Sequence, residues 1–453
     1  MKETSQPYPR PAYAWYVVGV LTLAYIFSFI DRQILSLLVE PIKADLGISD
    51  TRMSLLLGLS FALFYTVLGI PIARLADVKS RRAIIGAGIF LWSLMTVLCG
   101  LSRNYWQLFL ARMGVGVGEA ALSPAALSMI SDYFPRERIG RAISVYKMGI
   151  SSGQGIAIIV GATVLPLIAA LGSIDLPLLG ELKPWQAVFV VVGVPGILLA
   201  GLLFTVREPV RRHLDGRSVT GSERSIPMRT VIRYLLENRG TYLRHFIGMS
   251  VLTIMAYGIG SWIPAFLVRS YGLDTIEFSR VLTWLGVIVI VSGAIGTLLG
   301  GQLADRLGRR YADGYIRAVL IGVAVLIPGY GLFALMPTPE LALLLLVPAT
   351  LGGAIPTAAG TAALMLIAPS QMRAQVSALY YFVINLIGLA VGPTSVALIT
   401  DFVLRDEADL RYSITIVAFI AGICAAVLLW SLLAPYRRTL AQAQDWAAAV
   451  EHA

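Results

Sequence analysis

The sequence predicts an all-α integral membrane protein of twelve transmembrane helices in two six-helix bundles. Three observations carry that prediction. The chain is 57% hydrophobic and 14% charged, with a mean hydropathy of +0.78, whereas soluble domains carry about 25% charged residues. Its apolar residues fall into runs of about 20, the length that crosses the hydrocarbon core as a helix. Finally, Leu75-Ala76-Asp77-Val78-Lys79-Ser80-Arg81-Arg82 returns 228 positions later as Leu303-Ala304-Asp305-Arg306-Leu307-Gly308-Arg309-Arg310, each copy following a long apolar run. A phrase repeated at that spacing divides the chain into two similar halves, the arrangement of tandem membrane bundles.

The twelve runs are 14–38, 54–73, 83–101, 106–131, 141–170, 185–205, 243–268, 281–303, 315–336, 341–367, 376–400 and 412–434. The fifth is longer than a perpendicular crossing needs, which implies tilt or inclusion of loop residues. The stretch 206–240 is the one extended polar connector in the middle of the chain, Arg-rich and interrupted by Pro209 and Pro227. The organisation expected is therefore a first six-helix bundle over 1–205, a basic cytoplasmic linker over 206–242, a second bundle over 243–436 and a cytoplasmic tail over 437–453. A short amphipathic helix around 227–238 is predicted to lie at the membrane surface, its basic charge suited to anionic lipid.

With a cytoplasmic N-terminus, 26 of the 36 Lys and Arg residues fall on the inner side and 8 on the outer, with Arg32 and Arg112 inside runs. That asymmetry places both termini in the cytoplasm, and it reads the net charge of +10 as an orientation signal rather than a nucleic-acid surface. The absence of an Asn-x-Ser/Thr sequon fits a bacterial inner membrane. The first ten residues are polar and Pro-rich and the first run is long enough to remain a span, so no cleavable signal peptide is read. Cys99 and Cys424 both lie in apolar runs, which argues against a disulfide or a metal site. His213, His245 and His452 form no cluster, and neither His-Glu-x-x-His nor Gly-x-Ser-x-Gly occurs, so neither an enzyme nor a cofactor is expected.

Charges inside the bilayer are the next signal, because each costs ~2.5–3.5 kcal/mol or more near the centre. Asp31 and Arg32 sit roughly 10 Å deep in the first run. Arg112 lies at similar depth in the fourth, which runs the other way, and Glu119 is two turns further on the same face. Asp31 and Glu119 are the candidate proton-coupling carboxylates; Arg32 and Arg112 either bind an anionic group or tune the carboxylates. A static network, Asp31 with Arg112 and Arg32 with Glu119, stays open as the plain structural alternative. Tyr25, Ser28, Arg32 and Ser36 form a polar stripe beside them. Gly114, Gly116 and Gly118 remove bulk next to Glu119, and being mid-span with no preceding strand they are not a nucleotide loop.

The second half offers Tyr257, Thr357, Thr361, Tyr380 and Asn385 as polar candidates among apolar neighbours, each equally readable as a helix–helix hydrogen bond. Lys147 fits either a cavity or the cytoplasm. Gly149, Gly153, Gly155 and Gly161 form a small-residue stripe in the fifth run, expected to pack closely against Gly293, Gly296 and Gly300 of the eighth.

Gly301-x-x-x-Asp305-Arg306-x-Gly308-Arg309-Arg310 resembles the loop signature of the major facilitator superfamily, found between helices 2 and 3 and again between 8 and 9. The second copy fits fully; the first departs from it at Ala73, Val78 and Ser80. Charge-assisted bonds between Asp and Arg at such helix ends suit a latch, so Asp77, Arg81, Arg82, Gly301, Asp305, Arg306, Gly308, Arg309 and Arg310 are the candidate cytoplasmic gate; ordinary positive-inside charges are the alternative. Within the superfamily, Phe29-Ile30-Asp31-Arg32-Gln33 and Arg112-Met113-Gly114-Val115-Gly116-Val117-Gly118-Glu119-Ala120 are similar to the Spinster family, whose members move lysolipids and sphingoid phosphates. The glycines of the fifth run resemble an exporter signature without its usual Pro.

The resemblance covers nearly the whole chain. It implies the major facilitator fold and a monomeric secondary transporter working by alternating access, with protons, membrane lipids and an amphipathic lipid such as a lysophospholipid or sphingoid phosphate as partners and no nucleic acid. Protonating a carboxylate removes its pairing with Arg and so biases one facing state. The alternatives are a proton-driven exporter of drugs or small metabolites and, in a different class, a non-transporting membrane receptor.

Overall fold

The computed structural model describes residues 8–176, 180–211, 227–369 and 372–451. Among them twelve helices are long and apolar enough to cross a membrane. Spans 1 to 6 are Pro11–Leu37, Asp50–Ala76, Arg81–Gly100, Tyr105–Tyr133, Arg138–Leu171 and Pro184–Thr205. Spans 7 to 12 are Arg239–Tyr271, Thr275–Gly308, Gly314–Leu335, Pro339–Ile367, Gln375–Leu404 and Glu407–Ala443. Local chemistry sets their ends. Side chains of Ser49, Ser80, Asn104 and Thr338 accept backbone N–H groups at the starts of spans 2, 3, 4 and 10, and Pro11, Pro184 and Pro339 begin helices where no N–H partner is needed. Gly47 and Gly272, with φ +59° and +60°, supply left-handed C-caps.

Two spans are interrupted. Span 2 breaks at Gly58 (φ −117°, ψ −74°), between helices Asp50–Leu57 and Leu59–Val78. Span 4 breaks after Glu119, between helices Tyr105–Glu119 and Leu122–Tyr133. Pro124 cannot donate to the carbonyl four residues back, at Ala120, which accounts for the second break. A short antiparallel hairpin pairs Ile174–Leu176 with Gly180–Leu182 before span 6. The predicted linker helix runs Met228–Glu237.

The chain separates into two units, each made of most of one half plus a short piece of the other. The first comprises Met1–Ile48, Leu59–Glu223 and Thr275–Gly286, the second Ser49–Gly58, Arg224–Asp274 and Val287–Ala453. In the first unit, a Cβ on Gly118 would stand 2.6 Å from the backbone N of Trp92, and one on Gly116 would stand 2.6 Å from the carbonyl of Phe61. Span 4 therefore touches spans 3 and 2 backbone to backbone at the level of Glu119. In the second unit spans 7 and 11 cross in the same way at Gly258 and Gly392.

The expected pairing of the two glycine stripes is corrected. Gly149, Gly153 and Gly161 face Thr22, Tyr25, Phe29 and Leu37 of span 1, while Gly296 and Gly300 face Leu351 and Ile355 of span 10. Gly155 alone meets span 8, its carbonyl lying against Gly286. Membership of one unit explains this: spans 1 and 5 lie in the first, and span 10 with span 8 from Val287 in the second, so their small residues are used up there.

Candidate functional site

The four charges of the first unit meet. Asp31 and Ser28 are buried on span 1, Arg112 and Glu119 on span 4. Arg32 Nε donates to Glu119 Oε2 at 2.6 Å, and Ser28 Oγ donates to the same oxygen at 2.9 Å. Arg112 Nη1 donates to the backbone carbonyl of Asp31 at 3.0 Å rather than to its carboxylate. Asp31 Oδ1, Glu119 Oε1 and Arg112 Nε have no hydrogen-bond partner among the described residues. Trp92, Thr96 and Cys99 of span 3 lie beside Asp31 and Arg112.

The guanidinium of Arg32 is held in an aromatic surround, 4.5 Å from the Phe61 ring centroid, 4.7 Å from Tyr65 and 5.4 Å from Phe29. Tyr25 stacks on Tyr146 with centroids 4.8 Å apart. Ser36, the last of the polar stripe, is buried and donates to the carbonyl of Gln33, one turn back on its own helix. The arrangement is half of the static network: Arg32 and Glu119 pair, Asp31 and Arg112 meet only through the backbone.

The polar residues of the second unit form two small groups. Tyr257 OH donates to Asn385 Oδ1 at 3.4 Å. Thr361 Oγ1 shares a 3.0 Å hydrogen bond with Tyr381, the neighbour of the predicted Tyr380. Tyr380 itself is buried against His245 and Phe246. Thr357 Oγ1 donates only to the carbonyl of Gly353, at 3.4 Å.

The repeated loop phrase is built differently in its two copies. Arg81 is 1% exposed. Its Nε donates to Glu208 Oε1 at 2.8 Å, Nη1 to Asp132 and to Ser128 Oγ, and Nη2 to the carbonyl of Pro209. Ser80 Oγ and the Arg82 N–H both donate to Glu208 Oε2, at 2.8 and 2.9 Å. Burial alone would raise the Glu208 carboxyl, but these bonds, led by the Arg82 N–H, outweigh it and hold the group below its ordinary value. The side chain of Asp77 lies outside the described part of the structure.

In the second copy Asp305, Arg306, Arg309 and Arg310 are all exposed. Asp305 accepts from Tyr315 OH at 3.0 Å, Arg310 lies over the Tyr311 ring, and Gly308 leaves room for the Tyr315 ring. A Cβ on Gly301 would meet nothing within 4 Å. The buried charge there is Asp313, 1% exposed, which accepts from Arg317 Nε at 2.7 Å and lies 3.5 Å from Arg437 Nε.

Asp132, Glu208 and Asp313 were not singled out from the sequence. Each is an acid close in sequence to two or more arginines, which by itself is ordinary composition for a loop or helix end. Asp50, at the opposite end of the spans, was also not singled out; its two carboxylate oxygens take a bidentate pair from Arg269 at 2.7 and 2.8 Å within the second unit.

Residues 21–393 match the Major Facilitator Superfamily. The chain is 28% identical over 432 residues to the MFS-type efflux pump of Mycolicibacterium smegmatis, covering 95% of each chain. It is 25% identical over 301 residues to Protein spinster of Drosophila melanogaster, covering 66% of this chain and 47% of that one. The crystal structure of a bacterial homolog to the human lysosomal transporter Spinster, inward-facing and unoccupied, superposes with a TM-score of 0.78 at 27% identity, covering 96% of this chain and 99% of that one.

Proposed function

The chain belongs to the Major Facilitator Superfamily and is an integral membrane transporter; from that premise we propose a proton-coupled secondary transporter, working by alternating access, that moves an amphipathic lipid. A lysophospholipid or sphingoid phosphate is the substrate class, taken from the Spinster resemblance. The proposal includes a monomer in a bacterial inner membrane with both termini cytoplasmic.

The observation that carries the coupling is the cluster around Glu119. One carboxylate oxygen is held by Arg32 and Ser28, while the other, like Asp31 Oδ1, has no partner among the described residues. A proton arriving on Glu119 cancels the charge that holds Arg32, and the freed guanidinium can bind an anionic headgroup. The Glu119 carboxylate and the substrate would thus compete for one arginine, so that proton binding and substrate binding favour each other, a differential that couples them. Arg112 would hold span 4 to the Asp31 turn, Tyr25 and Ser28 would line the headgroup region, and Tyr257, Thr357, Thr361, Tyr380 and Asn385 would belong to the less charged wall. The two loop phrases, Asp77 with Arg81 and Arg82, and Gly301 to Arg310, would gate the cytoplasmic side.

The test is flux in proteoliposomes under an imposed pH gradient. Gradient-driven flux of a lysolipid is expected, lost in Glu119→Gln and in Asp31→Asn. Flux that both substitutions leave pH-driven would sink the coupling assignment. A second reading, export of drugs or small metabolites, is favoured by the efflux pump that matches 95% of the chain; pH-driven flux of a small cation with none of the lipid would decide for it.

A further inference from the structure

The linker helix Met228–Glu237 holds two faces that the transport reading does not use. Its Val231 is fully buried, and Tyr234 OH donates to the carbonyl of Ile367 at 3.0 Å, so one side is docked on the second unit. At 100° per residue, Met228, Ile232 and Leu236 fall on an adjoining stripe, and they are 46%, 46% and 63% exposed. Arg229 and Arg233 stand one residue beyond on the far edge of that stripe, both exposed and with no ion-pair partner among the described residues. Around the circumference the order is docked face, apolar stripe, arginines. A shallow recess of about 430 Å³ is lined by Arg229, Ile232, Arg233, Leu236 and Glu237.

The helix is held at membrane level because span 7 starts at Arg239, with only Asn238 between the two. The next exposed large apolar residues along the chain, Leu243 and Ile247, already belong to span 7. An apolar stripe at that level costs free energy in water and gains it against acyl chains, and arginines along its edge reach the depth of lipid phosphates.

We infer that this helix is a binding site for an anionic phospholipid of the leaflet on the linker side, its phosphate held between Arg229 and Arg233 and an acyl chain laid along Met228, Ile232 and Leu236. Glu237, at the other end of the recess, sets the phosphate toward Arg229. The site has a lever on the bundle. Tyr234 and, from span 7, Tyr242 both donate to the carbonyl of Ile367, the last residue of span 10, at 3.0 and 2.9 Å. Lipid held by the linker helix therefore restrains the end of span 10. The inference does not depend on which substrate the protein moves.

The test is native mass spectrometry of the full-length protein in neutral detergent, titrated with phosphatidylglycerol or with phosphatidylcholine of the same chains. An arginine at an anionic surface contributes roughly fivefold, so the wild type is expected to prefer phosphatidylglycerol by between about 5-fold and 25-fold at this site. Arg229→Gln with Arg233→Gln should erase that part of the preference, and the Lys pair at the same positions should retain most of it. Hydrogen exchange over 228–242 should slow with phosphatidylglycerol in the wild type and not in the Gln pair. Equal phosphatidylglycerol binding by the wild type and the Gln pair would overturn the inference. So would exchange that slows equally with both lipids, which would leave the stripe as a face read by acyl chains or by a protein. Both substituted side chains are exposed, so unchanged thermal midpoints show that folding is not the cause.

Discussion

The eight-residue phrase that occurs twice buries opposite charges in its two settings. In the first unit the arginine of the phrase is inside: Arg81 joins the end of span 4, at Asp132, to the segment after span 6, at Glu208. In the second unit the arginines of the phrase face solvent, and the buried group is an acid just beyond it, Asp313, which draws Arg437 from the last turns of span 12. Both networks reach the end of a six-helix run, at Glu208 just after span 6 and at Arg437 in span 12, with donor and acceptor exchanged. The phrase therefore marks a place in the topology rather than a fixed set of contacts. What recurs is a buried charge at or beside each copy of the phrase; which sign it carries is decided by residues outside the phrase.

Removing the buried member of each network tests this most directly, and the first unit should respond more. Arg81→Ala leaves Asp132 and Glu208 without their shared cation while Asp132 stays mostly buried (side chains 9% and 31% exposed). Breaking a buried pair from one side costs about 3–5 kcal/mol, and a loss of that size should appear as a lower thermal midpoint in detergent. Arg81→Met combined with Asp132→Asn and Glu208→Gln removes all three charges together and should recover much of it. A triple variant no better than Arg81→Ala would show that the arginine's hydrogen bonds to Ser128 and Pro209, not charge balance, hold the loop.

Asp313→Asn is the matching experiment in the second unit, and its expected effect is smaller. The two arginines it releases are 40% and 54% exposed, so water takes over most of what the carboxylate supplied. About 1 kcal/mol is expected, read in the same melting assay. A loss as large as that of Arg81→Ala would erase the distinction between the two units.

That distinction was not legible in the sequence, although much else was. The twelve spans and the linker helix could be read because hydrophobic length and amphipathic period are local properties. The meeting of Arg32 with Glu119 was open only as one arm of the static alternative, since unpaired charges are expensive in a bilayer, while counting depth put Arg112 rather than Glu119 level with Arg32. Asp132, Glu208 and Asp313 were hidden because their partners lie 51, 127 and 124 residues away for the first unit's two and the second unit's Arg437, and an acid in a basic loop looks like ordinary composition. Tyr381 was missed for a different reason. It stands beside Tyr380 in sequence, and a 100° turn decides which of the two meets Thr361 and which packs on His245. Small residues misled in the same way: glycine marks a close approach but not the helix that makes it.

The smallest expected effect is a pH dependence confined to the first unit's network. Glu208 accepts the Arg82 N–H, Ser80 and Arg81, and these hold its carboxyl below the ordinary 4.5 despite burial. A carboxyl depressed in the folded protein contributes stability that is fully present above its unfolded value and is lost as pH falls through the folded one. The stability difference between the wild type and Glu208→Gln should therefore be level from pH 7 to 5 and shrink progressively below 4.5. At the acid end the wild type carries a neutral group that still accepts hydrogen bonds, and the two proteins converge. Because Glu208 is partly exposed and screened by solvent, the change is expected to be modest, and 0.5 M salt should reduce it further. Melting curves of both proteins between pH 3 and 7 measure it. A gap that widened on acidification would carry the opposite sign and would mean that Glu208 is held protonated, which its three donors do not allow.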